Sequence, residues 1–137
     1  MPLRMDAPLP SLDGGTDWFN SPGVKDQDLE GQPVLIHFWA LSCGICKESL
    51  PELNKWVDLY GPKGLRIISI HMPRQESDTN VPAVKECLEE WEMKQPCVVD
   101  NWHTITDRLE NKCVPALYLF DAEHKMRHFQ AGEKKKK

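Results

Sequence analysis

Two cysteines, Cys43 and Cys46, are separated by two residues where an apolar run meets a more polar stretch. Thiols at this C-x-x-C spacing can exchange electrons with other disulfides, bind a metal ion or form a structural cross-link. The other cysteines, at positions 87, 97 and 113, are scattered singly along the chain. A tetrahedral zinc site normally needs a second ligand pair. The spacing therefore favours redox chemistry, and we expect neither a metal nor a cofactor.

The residues around the pair predict a strand followed by a helix. The apolar run at 34–40 is typical of a strand buried on both faces, and apolar residues recur at helical spacing over 44–60. Cys43 would then begin the helix, where unpaired N–H groups and the helix dipole stabilise a thiolate. Lowering a thiol pKa from about 8.5 to about 7 needs about 2 kcal/mol, which a helix terminus can nearly supply. Cys46, one turn further along, is expected to be more buried and to resolve the mixed disulfide that Cys43 forms.

The rest of the chain predicts strands that alternate with helices and end in a hairpin. We expect strands at 65–71, 97–100, 116–120 and 126–131, helices at 81–93 and 101–112, and an irregular or short-stranded lead-in over 1–33. This order is typical of an α/β domain with a mixed central sheet flanked by helices.

Size and composition narrow the class of protein. A chain of 137 residues fits one domain, expected at 1–132 with a lysine-rich tail at 133–137. The net charge is −4, and four of the seventeen basic residues lie in the tail, so the rest of the chain is more acidic still. An acidic surface argues against nucleic-acid binding. No apolar run reaches membrane-spanning length, and five cysteines do not suit a secreted disulfide framework. We expect a cytoplasmic monomer without a membrane or nucleic-acid partner.

Two segments resemble a known family. FWALSCGICK, with Pro51 five residues after Cys46, resembles the thioredoxin active-site segment, and VPALYLF resembles the family's strand that begins with a cis-proline. From about residue 29 to about residue 132 the chain is similar to the thioredoxin-like superfamily, within it to the ResA/TlpA-like redoxins. The resemblance implies a thioredoxin-like fold, with Cys43 as the exposed nucleophile and Cys46 as the resolving thiol.

The same resemblance implies a substrate-binding set. Val114 and Pro115 would form a cis bond that presents a backbone edge to the substrate, and Trp39 would lie beneath the active site. The residues alone favour an ordinary proline at the start of a strand for Pro115, and only the resemblance reverses that preference, whereas Trp39 is equally a core side chain.

The chain departs from the family pattern at three places. His37 occupies the position of a buried aspartate in thioredoxins, and Ser49 the position of a glutamate in ResA-like proteins. His37 could relay protons to Cys46, or it could be a half-buried histidine hydrogen-bonded to the backbone. Family domains also continue into a C-terminal helix, and we expect that helix to be missing.

These patterns predict a thiol–disulfide oxidoreductase that reduces protein disulfides and is itself reduced by an unidentified electron donor. Reduction is chosen as the direction because the cytoplasmic glutathione pool keeps most such pairs reduced. Two alternatives stay open: a peptide-binding module of thioredoxin-like fold without turnover, and a metal carrier that uses the same two cysteines.

Overall fold

One mixed sheet organises the protein. The computed structural model describes residues 4–131, and within this range six strands form the sheet. They are β1 (Asp17–Phe19), β2 (Val34–Trp39), β3 (Arg66–His71), β4 (Cys97–Val99), β5 (Ala116–Phe120) and β6 (Met126–Ala131). Their order across the sheet is β1-β4-β3-β2-β5-β6. β2, β3 and β4 run parallel, whereas β1, β5 and β6 pair antiparallel with their neighbours. The predicted α/β class with a mixed sheet is confirmed.

Three α-helices flank the sheet within the described range: α1 (Gly44–Tyr60), α2 (Val81–Glu90) and α3 (Thr104–Arg108). α1 has the predicted bounds, but the other two are shorter than predicted. Glu92 has a φ of 56°, His103 of 60° and Glu110 of 54°, and this left-handed backbone does not continue a helix. The domain boundary at 132, the tail at 133–137 and the expected lack of a C-terminal helix fall outside the described residues.

Each face of the sheet packs its own hydrophobic cluster. α1 and α2 cover one face, where Leu50 and Leu88 belong to the same cluster as Trp39. α3 and the lead-in cover the other face, where Ile105 packs in a cluster with Phe38. All six residues of β2 are buried, as the apolar run predicts. The central strand therefore gives a fixed base to the segment that carries the two cysteines.

Three loops follow the carboxyl ends of the neighbouring parallel strands β2, β3 and β4, and therefore lie side by side at one edge of the sheet. Backbone hydrogen bonds continue across this edge, from Met72 N–H to the Trp39 carbonyl (2.8 Å) and from Asp100 N–H to the His71 carbonyl (3.0 Å). The buried Asp100 carboxylate accepts from the N–H groups of Ile105 (3.1 Å) and Thr106 (2.7 Å), which fixes the start of α3. The edge that holds the cysteines is thus rigidly built.

Candidate active site

The cysteine pair lies at the start of α1. Cys43 is the N-cap residue and forms a disulfide with Cys46, with a Cα–Cα distance of 5.2 Å. The Cys46 N–H donates to the Cys43 Sγ at 3.0 Å. The predicted position of Cys43 at the helix start is confirmed. After reduction, the same N–H and the helix dipole would stabilise a thiolate on Cys43.

The two cysteines differ in exposure less than the sequence predicts. Cys43 is 4% exposed and Cys46 is fully buried. The expectation of an openly exposed Cys43 is wrong for the oxidised pair, because its sulfur is bonded to Cys46 and belongs to a cluster against which Leu41 and Val114 pack. The predicted order of burial holds, since Cys43 keeps a small exposed fraction and Cys46 keeps none.

A buried histidine at the end of β3 holds the loop before Cys43. His71 is fully buried, its ring lies 4.8 Å from Trp39 in an edge-to-face contact, and its Nε2 accepts from the Leu41 N–H at 3.0 Å. An Nε2 that accepts must be unprotonated, so the ring is neutral. Burial lowers the pKa of His71 to about 4, against a smaller opposing effect of the Asp78 charge. His71 thus fixes the backbone two residues before Cys43.

Replacing His71 separates its hydrogen bond from its packing. We expect His71→Phe to lower the free energy of unfolding by about 1–2 kcal/mol, because the Leu41 N–H loses its acceptor. His71→Gln, whose Oε1 can reach the position of Nε2, is expected to recover part of that loss. Urea unfolding of the oxidised proteins measures both. Equal stability of the two variants would show that the hydrogen bond contributes nothing.

A second set of contacts holds Ser42, the residue next to Cys43. The Ser42 hydroxyl donates to the buried Asp78 carboxylate at 2.8 Å, and the same carboxylate oxygen accepts from the Arg74 N–H at 2.9 Å. The Arg74 guanidinium donates to the Ser42 carbonyl at 2.9 Å and to its hydroxyl at 3.2 Å. The loop after β3 therefore clamps the active-site loop from one side.

His37 lies within the sheet, and not at its edge. Alternation along β2 puts it on the face of Leu35 and Trp39, and its Nδ1 lies 2.9 Å from Ser69 Oγ, which also accepts from Gln95 at 2.8 Å. Its partner is thus a side chain, and the expectation of a backbone hydrogen bond is wrong. Burial lowers the pKa of His37 to about 3, so the ring is neutral near pH 7. The proton-relay role stays a prediction, and the low pKa counts against it.

The predicted substrate-binding residues differ in their burial and in their distance from the surface. The Val114–Pro115 bond is cis, as the resemblance implies, and the half-buried Val114 packs against the cluster that contains both active-site cysteines. Trp39 is fully buried. Its ring lies in the core cluster beneath the site, as the resemblance implies, and its part in substrate binding stays a prediction.

The remaining cysteines do not join the pair. Cys87 is 5% exposed and Cys97 is fully buried, which confirms the prediction that both are small core residues. Burial raises the pKa of Cys97 to about 12. Cys113 is a half-buried free thiol whose pKa burial also raises, which disfavours its thiolate. An auxiliary redox role for Cys113 stays a prediction.

Neither a metal cluster nor a membrane span is found in the described part of the chain. Across residues 4–131, no group of three or more His, Cys, Asp or Glu side chains is arranged to hold a metal ion. No helix in that range is both long and apolar enough to cross a bilayer.

Sequence reasoning missed the parts of the site that come from the loop after β3. Ser42, Arg74 and Asp78 carry no recognisable spacing, since the partners lie 32 and 36 positions apart. His71 and Arg74 do stand at the end of a predicted strand, next to the strand that leads to Cys43. That placement is the one signal that could have suggested their contact.

A strand, a C-x-x-C helix and a cis-proline strand in one mixed sheet define a protein of thioredoxin-like fold. The chain belongs to the AhpC/TSA family, whose model matches residues 7–129. It is 41% identical over 130 residues to the thiol-disulfide oxidoreductase YkuV of Bacillus subtilis (strain 168), covering 95% of this chain and 87% of that protein. Thiol-disulfide oxidoreductase ResA of Bacillus cereus is 27% identical, covering 82% of this chain and 62% of that protein.

A solved structure agrees with these relatives. The solution structure of a thioredoxin-like protein in the oxidised form superposes with a TM-score of 0.87 at 42% identity, covering 95% of this chain and 87% of that one. The predicted thioredoxin-like fold and the resemblance to ResA-like redoxins are confirmed. The protein is a thiol–disulfide oxidoreductase.

Proposed function

We propose that the protein reduces disulfides of other proteins by dithiol–disulfide exchange, with Cys43 as nucleophile and Cys46 as resolving thiol. The observation that carries the proposal is the Cys43–Cys46 disulfide at the start of α1, with the Cys46 N–H directed at the Cys43 sulfur (3.0 Å). The relatives named as thiol-disulfide oxidoreductases support the same chemistry.

The exchange has two steps. The Cys43 thiolate attacks one sulfur of a substrate disulfide, so that a mixed disulfide forms and the other substrate sulfur leaves as a thiolate. Cys46 then loses its proton and attacks the Cys43 sulfur. The second substrate thiolate leaves, and the Cys43–Cys46 disulfide forms. Two electrons pass to the substrate, and a dithiol donor must return them before the next cycle.

Val114 and Pro115 are proposed to guide the substrate chain. The support is their place directly before β5, with the half-buried Val114 packed against the cluster of the two cysteines. An extended substrate segment could pair with this backbone as a short added strand. Trp39 is proposed to support the active-site loop from the core side, where it packs in the same cluster as the two cysteines.

The direction of electron transfer, the electron donor and the cellular compartment are also part of the proposal. We propose a role in electron transfer within the cytoplasm, with the protein acting as a monomer. The odd number of cysteines supports a reducing compartment, since five thiols cannot all pair within one chain.

Equilibration with glutathione buffers tests direction and chemistry together. We expect one two-electron transition of the cysteine pair with a potential nearer that of thioredoxin, about −270 mV, than that of the oxidant DsbA, about −120 mV, because a low potential drives electrons from the pair to a substrate disulfide. The oxidised fraction is measured by thiol alkylation and mass spectrometry, and the Cys43→Ser variant should show no transition. A potential above about −180 mV would indicate an oxidant. If no transition is observed, the cysteine pair has no redox function and the proposal is wrong.

A further inference from the structure

We propose that the side chains of Ile45, Arg74 and Trp102 form a substrate-docking surface that selects protein disulfides with a neighbouring acidic residue and a neighbouring apolar residue. We call it the Ile45–Arg74–Trp102 surface. It serves substrate capture only if the proposed reductase function holds.

The three side chains come from loops or helix starts at the same edge of the sheet. Ile45 lies between the two cysteines, Arg74 follows β3, and Trp102 follows β4. Neighbouring strands are about 4.8 Å apart, so the loop that carries Trp102 begins about 10 Å across the sheet from the end of β2. A substrate segment that pairs with Val114–Pro115 on the β5 side of Cys43 and extends past the cysteines toward β4 would lie over this surface.

Hydrogen bonds join the loops into one surface. The His103 ring nitrogen Nε2 lies 2.8 Å from the Pro73 carbonyl, and the Asn101 side-chain amide donates to the Thr79 carbonyl at 3.1 Å. Arg74 in turn donates to Ser42 beside the nucleophile. Trp102 is therefore presented by a loop that is tied, through the loop after β3, to the active-site loop.

Two large apolar side chains are exposed at this edge of the sheet, and Trp102 is the most exposed large apolar residue among those that the structure describes. Trp102 is 77% exposed and Ile45 is 42% exposed. Leu59 and Tyr60 are also exposed, but they lie at the other end of α1. Tryptophan and arginine are the residues that most often dominate protein–protein binding, because one brings a large rigid apolar area and the other a planar set of donors. An apolar partner side chain over Trp102 would remove that area from water.

Arg74 supplies the charge preference. Its guanidinium donates through Nε and one Nη to Ser42, and in the described part of the chain no carboxylate lies within ion-pair distance of it. The buried Asp78 accepts from the Arg74 backbone and not from the guanidinium. The remaining donors can bind a partner carboxylate. The whole chain carries −4, and the Asp78 carboxylate lies beside the Arg74 backbone. Asp78 is buried whereas the Arg74 guanidinium is exposed, so a partner meets the cation, and screening limits repulsion from more distant charges to about 8 Å at physiological salt.

Kinetics with matched cystine peptides test the proposal. The peptides carry one leucine and differ at a single position beside the cystine, which is either Glu or Lys. The wild-type kcat/KM is expected to favour the Glu peptide by about fivefold, and Arg74→Glu should reverse the preference. Trp102→Ala should lower kcat/KM for both peptides about tenfold relative to kcat/KM for hydroxyethyl disulfide, which is too small to reach the surface. Leu59→Ala is the matched control and should leave every ratio unchanged.

The possible outcomes distinguish a failure of the docking proposal from a failure of the proposed reductase function. If each variant changes the peptides and hydroxyethyl disulfide by the same factor, the residues act on the cysteine pair itself and the docking surface is overturned. If the free protein dimerises in sedimentation and Trp102→Ala abolishes the dimer, a second copy is the occupant and the proposal is also wrong. If the wild type turns over neither kind of disulfide, the proposed reductase function has failed instead.

Discussion

Replacing Cys43 with serine is expected to abolish disulfide reduction, with kcat/KM falling by more than about a thousandfold. A serine hydroxyl stays protonated at neutral pH and does not attack a disulfide, whereas the helix start favours a thiolate at this position. Loss of the disulfide-linked form of a protein substrate on non-reducing gels, with dithiothreitol as the electron source and its uncatalysed rate subtracted, measures the effect.

Cys46→Ser is expected to fail at a different step. Cys43 can still attack, but no second thiol displaces the product, so the mixed disulfide between Cys43 and the substrate accumulates. A non-reducing gel shifted to the mass of the adduct, and restored by dithiothreitol, detects it. The pair of variants therefore assigns the two roles independently.

Cys113→Ser is the matched control for both variants, since it removes the half-buried free thiol. We expect it to keep wild-type turnover and to form no adduct. A Cys43→Ser protein that still reduces its substrate at the wild-type rate would contradict the assignment. Trapping by Cys43→Ser in place of Cys46→Ser would exchange the two roles.

The local parts of the site could be predicted because their causes are local. The apolar run of β2 can be satisfied only by burial on both faces, and the helical spacing that follows fixes the start of α1 at Gly44. Once those two elements are placed, Cys43 must cap the helix and Cys46 must point inward. The cis bond before Pro115 came from the family resemblance and not from the residues.

The contacts that hold the site could not be predicted, since they depend on which loops the sheet brings together. Leu41 meets His71 across 30 positions, and Ser42 meets Arg74 across 32. Neither pair has a periodic pattern. The strand order β4-β3-β2 places their loops side by side, and that order follows from the packing of the whole sheet.

Burial, too, was misjudged wherever a residue type tolerates several environments. His37 was expected to be half-buried, yet it is 2% exposed and bonded to Ser69 within the sheet. Cys43 was expected to be open to substrate, yet it is 4% exposed in the oxidised pair. The composition does not indicate that one face of β2 and β3 holds two neutral imidazoles. These two buried rings are expected to make the free energy of unfolding depend on pH.

The free energy of unfolding is expected to fall by about 4 kcal/mol when the pH is lowered from 7 to 5, about 2 kcal/mol for each of His37 and His71. Burial lowers their pKa values from 6.5 to about 3 and about 4. Between pH 6.5 and pH 4 the unfolded chain binds a proton at each ring and the folded chain does not. Stability is therefore lost as the pH falls, and the loss is a large share of the roughly 5–15 kcal/mol typical of a domain.

The histidines can be distinguished from carboxyl groups by the pH window. The pKa of Asp121 is lowered from 3.8, mainly by hydrogen bonds from the Lys125 backbone N–H and the Arg127 side chain, so its contribution is lost only below about pH 4.

The decisive variant is His37→Asn with His71→Gln, because each amide can keep one hydrogen bond of the ring but cannot titrate. Urea unfolding of the oxidised protein at pH 7, 6 and 5 should show most of the pH dependence removed in the double variant. His128→Gln, at an exposed position of β6, is the control and should behave as the wild type. If the double variant loses as much stability between pH 7 and 5 as the wild type, the two buried rings are not its cause.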